Sequence, residues 1–221
     1  MPSLCPTRAP APRPCDDERV HARLATDADV PAVAETIALA FADDPIWGPM
    51  LQRPDGSRAH LPAFWAPFVE GALRHETVWL VDDGAAVAVW IPPGGTEMSD
   101  EQFARATAIV DEQLGAAQRS AFAELMDRFD ANHPHDAPHY YLSLLATHPS
   151  RRGEGLAQRM LAANVEVFAA DDFAAYLEST NPVNDRRYER AGFRIVGGFV
   201  SPLDERSPVA TMWRPVTVAA D

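Results

Sequence analysis

Cysteine is scarce in this sequence, and what there is lies near the beginning. The 221 residues include two cysteines, Cys5 and Cys15, both inside a proline-rich stretch. This placement argues against a disulfide framework and against a catalytic thiol, and it favours a reducing compartment. We therefore expect a cytoplasmic protein whose chemistry depends on other side chains.

Basic charge and long apolar runs are lacking as well. Lysine and arginine number 19 against 32 acidic residues, which gives a net charge of −13. Non-specific nucleic-acid binding needs a basic face, so we expect no nucleic-acid partner, whereas an acidic field suits a cationic substrate. No apolar run approaches the roughly 20 residues of a membrane-spanning helix, so no membrane partner is predicted.

The composition is that of a globular protein, with 47% hydrophobic residues. Residues 1–19 are rich in proline and contain no apolar segment typical of a secretory signal, so we interpret them as a disordered extension. Residues 20–221 are long enough for one sizeable core and are predicted to form a single domain. We expect a monomer or a homodimer.

Strand and helix signals alternate along the chain. Strands are predicted at 20–24, 77–81, 85–91, 140–146, 174–178, 193–200 and 209–214. Helices are predicted at 26–41, 57–74, 99–130 with a break near Gly115, 153–170 and 182–190. This order predicts an α/β fold with a mixed sheet.

A turn with two glycines joins one strand to the next helix, and its sequence at 151–157 is RRGEGLA. The first turn of a helix has unpaired N–H groups that attract anions, and glycine lets the backbone approach a phosphate closely. Arg151 and Arg152 add local positive charge. A Walker A loop would need Lys and then Ser or Thr after the glycines, and the sequence does not provide them. A Rossmann loop would need a small residue at the position that Gln158 occupies. A solvated turn remains the alternative for this loop taken alone.

Two motifs together resemble the GCN5-related N-acetyltransferase (GNAT) superfamily. Residues 152–157 match its Arg/Gln-x-x-Gly-x-Gly/Ala loop, and residues 181–193 are similar to its Asn…Tyr-Glu-x-x-Gly-Phe block. The resemblance covers residues 140–199. Segments 41–45 and 78–90 look more loosely like the puromycin N-acetyltransferase family of antibiotic acetyltransferases, which acetylate small amines.

The resemblance implies the fold of that superfamily, a mixed central sheet flanked by helices on both faces. It also implies acetyl-CoA as the cofactor, with one strand beside the pantetheine arm and the glycine loop around the pyrophosphate. The cofactor-binding residues that it implies are Leu145, Ala146, Thr147, Arg151, Arg152, Gly153, Glu154, Gly155, Leu156, Ala157, Asn181 and Asn184.

Acetyl transfer to an amine needs a base for the amine and a proton donor for the departing thiolate. The resemblance places Tyr188 near the sulfur, and a phenol suits a thiolate of similar basicity. Glu178, at the end of a strand, is the predicted base, and Asp43 and Asp44 are alternatives. A packing role for the tyrosine and an N–H-binding role for Glu178 remain open.

The acceptor site is predicted from carboxylates and aromatic rings: Asp43, Asp44, Trp47, Trp90 and Tyr140. The two aspartates could instead cap a turn, and each aromatic residue could belong to the core, as could Trp65. Four histidines invite a metal interpretation: His133, His135, His139 and His148. They have no cysteine partner, and prolines beside them indicate a surface loop, so no metal is predicted.

These observations favour an acetyl-CoA-dependent N-acetyltransferase that acetylates a primary amine of a small molecule resembling an antibiotic or a metabolite. Transfer would be direct, within a ternary complex. The alternatives are acetylation of a protein or peptide, and a non-catalytic sensor that binds CoA.

Overall fold

A computed structural model describes residues 21–216. The predicted extension at 1–19, with Cys5 and Cys15, lies outside the described residues. The strands are β1 Ala22–Leu24, β2 Val78–Val81, β3 Ala86–Ile91, β4 His139–Thr147, β5 Ala174–Ser179, β6 Arg194–Val200 and β7 Pro208–Arg214. The helices are α1 Val30–Phe41, α2 Trp47–Met50, α3 Leu61–Leu73, α4 Asp100–Gln113, α5 Ala116–Asn132, α6 Leu156–Ala170 and α7 Asp185–Arg190.

The predicted elements agree with the observed ones apart from their ends and one short helix. α6 begins at Leu156 rather than at 153, because Gly153 and Gly155 both have positive φ and cannot be helical. The break near Gly115 separates α4 from α5. The four-residue helix α2 was not predicted. None of the helices within residues 21–216 has the length and apolar character to cross a membrane.

Seven strands form one mixed sheet in the order β1-β2-β3-β4-β5-β7-β6. β4 and β5 are parallel, and the other neighbouring pairs are antiparallel. Side chains alternate between the faces of β3, so that Val87, Val89 and Ile91 face a core that includes α1, α3, α4 and α5. Ala88 and Trp90 face α6 on the other side. The mixed sheet with helices on both faces is therefore confirmed.

A bulge and a split shape the middle of this sheet. Val89 pairs with Leu144 but Trp90 pairs with Leu142, so Ser143 is an extra residue in β4. The parallel pairing of β4 with β5 ends at Leu142 and Leu177. Beyond that point β4 continues along β3 and β5 continues along β7. The two central strands therefore part, and one edge of β4 is open to a ligand.

Candidate active site

A cleft of about 640 Å³ lies at the split between β4 and β5. It contains eleven of the twelve predicted cofactor-binding residues: Leu145, Ala146, Thr147, Arg151, Arg152, Gly153, Gly155, Leu156, Ala157, Asn181 and Asn184. Glu154, the twelfth, lies beside them and binds Arg151. The strand edge, the glycine loop and the asparagine block thus converge on one space.

The glycine loop has the geometry of an anion site. Gly153 and Gly155 have φ values of +89° and +71°, a region that side chains rarely adopt. A Cβ atom on Gly153 would meet nothing within 4 Å, so the space beside it is open. Gly155 precedes α6 without any side-chain cap, which leaves first-turn N–H groups available. A phosphate-bearing ligand fits this loop.

The two arginines of the loop differ in their partners. Arg151 binds Glu154 at 2.8 Å and Asp82 at 3.2 Å, and these carboxylates raise the pKa of its guanidinium. Its charge is therefore largely compensated. Arg152 is exposed, and its Nη2 makes only a 3.4 Å contact with the Ala40 carbonyl oxygen. Arg152 is the better cation for an anionic ligand.

Asn181 and Asn184 line the cleft and use their side-chain oxygens locally. Asn181 Oδ1 accepts a hydrogen bond from the Val183 N–H at 3.2 Å, and Asn184 Oδ1 accepts one from Arg187 at 2.8 Å. Their Nδ2 groups donate no hydrogen bond to any of the described residues. Both amides are therefore able to donate to a ligand.

Tyr188 lies on α7 and lines the same cleft. Its ring packs edge-on against Phe193, with centroids 6.3 Å apart. Its hydroxyl group has no hydrogen-bond partner within residues 21–216. Burial, reinforced by the carboxylates of Asp44 and Asp185, raises the pKa of this phenol. Tyr188 is thus a neutral O–H donor at pH 7.

Glu178 follows the last paired residue of the β4–β5 ladder and also lines the cleft. Its side chain is only 3% exposed, and its Oε1 is buried without a hydrogen-bond partner. His133 Nδ1 lies 3.7 Å from this oxygen. Buried carboxylate oxygens normally have partners, so an unpartnered one indicates a place for a ligand or a proton.

Glu97 is a cleft residue that the sequence did not reveal. It lies in the loop between β3 and α4 and accepts a hydrogen bond from the Ser143 hydroxyl. Although the residue is partly exposed, loss of solvent around its carboxyl group raises its pKa to about 7, and nearby Glu178 adds to the shift. Burial and both carboxylates raise the pKa of Tyr141 well above its ordinary value. Glu97 therefore lies beside Ser143, and Glu178 is close enough to affect the pKa values of both Glu97 and Tyr141.

Aromatic side chains form the opposite wall of the cleft. Trp47 stacks on Phe129 with 5.9 Å between centroids, and it meets Trp65 edge-on at 5.1 Å. Phe41 and Phe68 complete this wall. Trp47 is therefore both a core residue and a cleft residue, as the two sequence interpretations allowed.

Trp90 and Tyr140 do not line the cleft and so do not contribute to an acceptor pocket there. Trp90 is fully buried on the α6 face, where its Nε1 donates to Asn164 at 3.1 Å. Tyr140 stacks on Phe168 of the same helix at 3.8 Å. Strand alternation directs both away from the cleft, which corrects the expectation that they bind substrate.

Asp43 and Asp44 lie at the end of α1 and have different environments. Asp44 is buried, and it accepts hydrogen bonds from the N–H groups of Ile46 and Trp47 and from the Thr180 hydroxyl at 2.9, 3.1 and 2.9 Å. Asp43 is exposed and pairs with Arg58 at 2.7 Å. Both line the cleft and a neighbouring pocket of about 340 Å³. Asp44 is the turn cap that the sequence left as an alternative.

The histidines do not all belong to a surface loop. His139 is buried in β4, and its Nε2 lies 3.2 Å from Nε2 of His133. His148 binds Ser150 in the turn after β4. In the described part of the chain, no group of three or more His, Cys, Asp or Glu side chains is arranged to hold a metal.

Comparisons with known proteins agree with this architecture. Residues 96–193 match the acetyltransferase (GNAT) family. An acetyltransferase from Corynebacterium glutamicum, described as histone acetyltransferase HPA2 and related acetyltransferase, is 27% identical over 90% of this chain and 98% of its own, with a TM-score of 0.63. Arylalkylamine N-acetyltransferase 2 from Aedes aegypti is 17% identical over 89% and 99%, with a TM-score of 0.59. The ribosomal-protein-S18-alanine N-acetyltransferase of Escherichia coli is 14% identical over 90% and 96%, at 0.50.

Residues 96–193 therefore match the acetyltransferase domain of the GNAT family, and the chain has the GNAT fold. It is an N-acetyltransferase, as the two sequence motifs indicated. Members of this family generally use acetyl-CoA as the acyl donor.

Proposed function

We propose that this protein transfers the acetyl group of acetyl-CoA directly to a primary amine of a small molecule resembling an antibiotic or a metabolite. One observation supports this most strongly. A single cleft contains the glycine loop, the open edge of β4, the Tyr188 hydroxyl and two carboxyl groups, Glu97 and Glu178. These are the groups that donor binding, proton removal and proton return require.

The donor half of the cleft fits acetyl-CoA. Loop N–H groups around Gly153 and Gly155, together with Arg152, would hold the pyrophosphate. The open edge of β4 from residue 143 to 147 would pair with the pantetheine arm, and an N–H there would stabilise the oxyanion. Bound acetyl-CoA supplies an activated thioester carbonyl.

The chain's own groups would move the protons. Glu178, with its unpartnered oxygen, takes a proton from the acceptor ammonium and so exposes the amine lone pair. Glu97 provides a second negative charge that holds the ammonium beside Ser143. Tyr188 Oη donates its proton to the departing sulfur and regains one from the second N–H bond that the acceptor nitrogen loses. No enzyme nucleophile is required.

The shape and charge of the acceptor half support a small amine. The carboxyl groups face an aromatic wall that includes Trp47, Trp65 and Phe129, which suits an ammonium group attached to an apolar body. The Aedes aegypti protein of similar fold is named for arylalkylamines. The Escherichia coli protein is named for a ribosomal protein, so peptide acetylation is the second candidate. We further propose that residues 20–221 form one domain acting in the cytoplasm.

Free CoA thiol release tests this proposal directly. Purified protein is mixed with acetyl-CoA and a panel of alkylamines, arylalkylamines, amino-bearing antibiotics, polyamines and peptides. We expect release with at least one small amine. The variant Gly155→Trp, checked for folding by thermal unfolding, should lose CoA binding and thiol release, because it fills the loop. Tight CoA binding by the wild-type protein with no release across the panel would leave only the sensor alternative.

A further inference from the structure

His133, His135 and His139 form a cluster next to Glu178, on the side of Glu178 away from the glycine loop. His133 directly follows α5, and its ring lies 5.0 Å from the His139 ring and 5.8 Å from the His135 ring. His133 Nδ1 is 3.7 Å from the unpartnered Oε1 of Glu178. The side chain of His133 is 27% exposed, whereas that of Glu178 is 3% exposed. The cluster therefore connects a buried cleft carboxylate to solvent.

Hydrogen bonding fixes the proton positions in this cluster. His139 Nδ1 lies 2.6 Å from the Ala137 carbonyl oxygen, so Nδ1 carries a proton and donates it. Burial, with a smaller effect of His133, lowers the pKa of His139 and keeps it neutral. Its Nε2 is then an acceptor, and His133 Nε2, 3.2 Å away, is the donor. A neutral His133 consequently presents the lone pair of Nδ1 to Glu178.

The reaction needs such an acceptor, because acetylation of an ammonium releases a proton. The balance is RNH₃⁺ plus acetyl thioester giving RNH-acetyl, CoA thiol and one H⁺. We propose, on the basis of the function proposed above, that His133 accepts this proton from Glu178 and passes it to solvent. An N–H bond of the ammonium breaks as an O–H bond forms at Glu178. The proton then moves from Oε1 to His133 Nδ1, and the imidazolium releases the Nδ1 proton to water, which restores the neutral ring with its proton on Nε2.

The other titratable groups around His133 leave it as the acceptor of the proton from Glu178. The titratable side chains that face it come from the α5–β4 loop, from β4, from β5 and from the loop before α4. They are His135, His139, Tyr141, Tyr176, Glu178 and Glu97. Tyr176 donates its own proton to the Asn132 carbonyl oxygen at 3.1 Å. Burial and Glu178 raise the pKa values of Tyr141 and Tyr176, so both phenols stay protonated and neither takes the proton of Glu178. His139 acts as a positioning residue that holds the His133 ring.

The test compares His133→Asn with a matched control outside the cluster, His21→Asn. Asparagine is polar and of similar size but cannot take a proton. With an acceptor that is an ammonium ion at pH 7, kcat of His133→Asn should fall about 10²-fold, within the range for a lost proton transfer. Added imidazole should restore the rate in proportion to its concentration. His21 is exposed and immediately precedes the edge strand β1, away from the cleft, so its variant should keep wild-type activity.

A weakly basic arylamine, neutral at pH 7, separates proton release from structure. It has no ammonium proton to lose, so His133→Asn should acetylate it at nearly the wild-type rate. Equal loss with both amines, unrescued by imidazole, would show a structural role and overturn the proposal. Wild-type kcat of His133→Asn with the ammonium acceptor would overturn it as well. Inactivity of the wild-type protein with every amine would instead refute the proposed function.

Discussion

Replacing Glu97 by glutamine removes the charge from one of the two glutamates that line the cleft. The side chain keeps its size and can still accept the hydrogen bond of the Ser143 hydroxyl. We expect kcat/KM for an ammonium acceptor to decrease, because the cation loses one of two nearby negative charges. The effect should depend on pH, because the pKa of Glu97 is raised to about 7, mainly by desolvation.

The size of this pH effect follows from the raised pKa. With a pKa of about 7, roughly one-tenth of Glu97 is ionised at pH 6 and roughly nine-tenths at pH 8. The ratio of kcat/KM between wild type and Glu97→Gln should therefore rise over this interval, by about ninefold at most, and then level off. Taking the ratio cancels the ionisation of the amine itself, which affects both proteins equally.

Thiol release at pH 6, 7 and 8 measures this ratio. Glu101→Gln is the control, because it removes an exposed carboxylate at the start of α4, four residues along the chain. Its ratio to wild type should be flat, as should the Glu97→Gln ratio with an arylamine that is neutral throughout. A flat Glu97→Gln ratio with the ammonium acceptor would refute the assignment of charge to this residue.

The free energy of unfolding provides an independent test of the raised pKa of Glu97. A carboxyl group whose pKa is raised by folding favours the folded state below its unfolded pKa, near 4.5, and loses that contribution as the pH rises through about 7. The free energy of unfolding of Glu97→Gln relative to wild type should accordingly increase between pH 4.5 and 8. Urea unfolding of the ligand-free proteins measures it, and a constant difference would contradict the raised pKa.

Two further substitutions and one control variant test other parts of the cleft. Tyr188→Phe should lower kcat about 10²-fold while CoA affinity stays close to that of wild type, and an unchanged kcat would remove its role as proton donor. Asp44→Ala leaves the buried N–H groups of Ile46 and Trp47 without an acceptor and should cost about 2–4 kcal/mol in urea unfolding. Asp43→Ala breaks only an exposed ion pair and should cost less than about 1 kcal/mol; equal costs would refute the cap.

The donor half of the cleft could be predicted because its signals are local. The segment 145–157 is one strand, one turn and the start of one helix, so its spacing alone brings the residues together. Glycine at the two positions of positive φ marks where the backbone is exposed to a ligand. Only the partner of Arg151 was not foreseen, because Asp82 lies in a distant hairpin turn.

The acceptor half could not be predicted, because it depends on register. Glu97 reaches Ser143 across 46 positions of sequence, and Ser143 faces it because it is the extra residue of a bulge. A shift of one residue reverses the face of every side chain in a strand, which is why Trp90 belongs to the α6 core and not to the cleft. Neither feature has a local sequence signal.

The net negative charge of the chain has opposite effects on the binding of the acceptor and the donor. A net charge of −13 attracts an ammonium acceptor and repels an anionic donor. Glu97 lies beside Ser143, whereas the glycine loop follows Thr147, four strand residues or roughly 13 Å further along β4. Coulomb repulsion falls with distance, so this separation weakens the repulsion between the carboxylates and the donor phosphates. Backbone N–H groups and Arg152 contact the phosphates directly, so their attraction acts at a much shorter range than that repulsion.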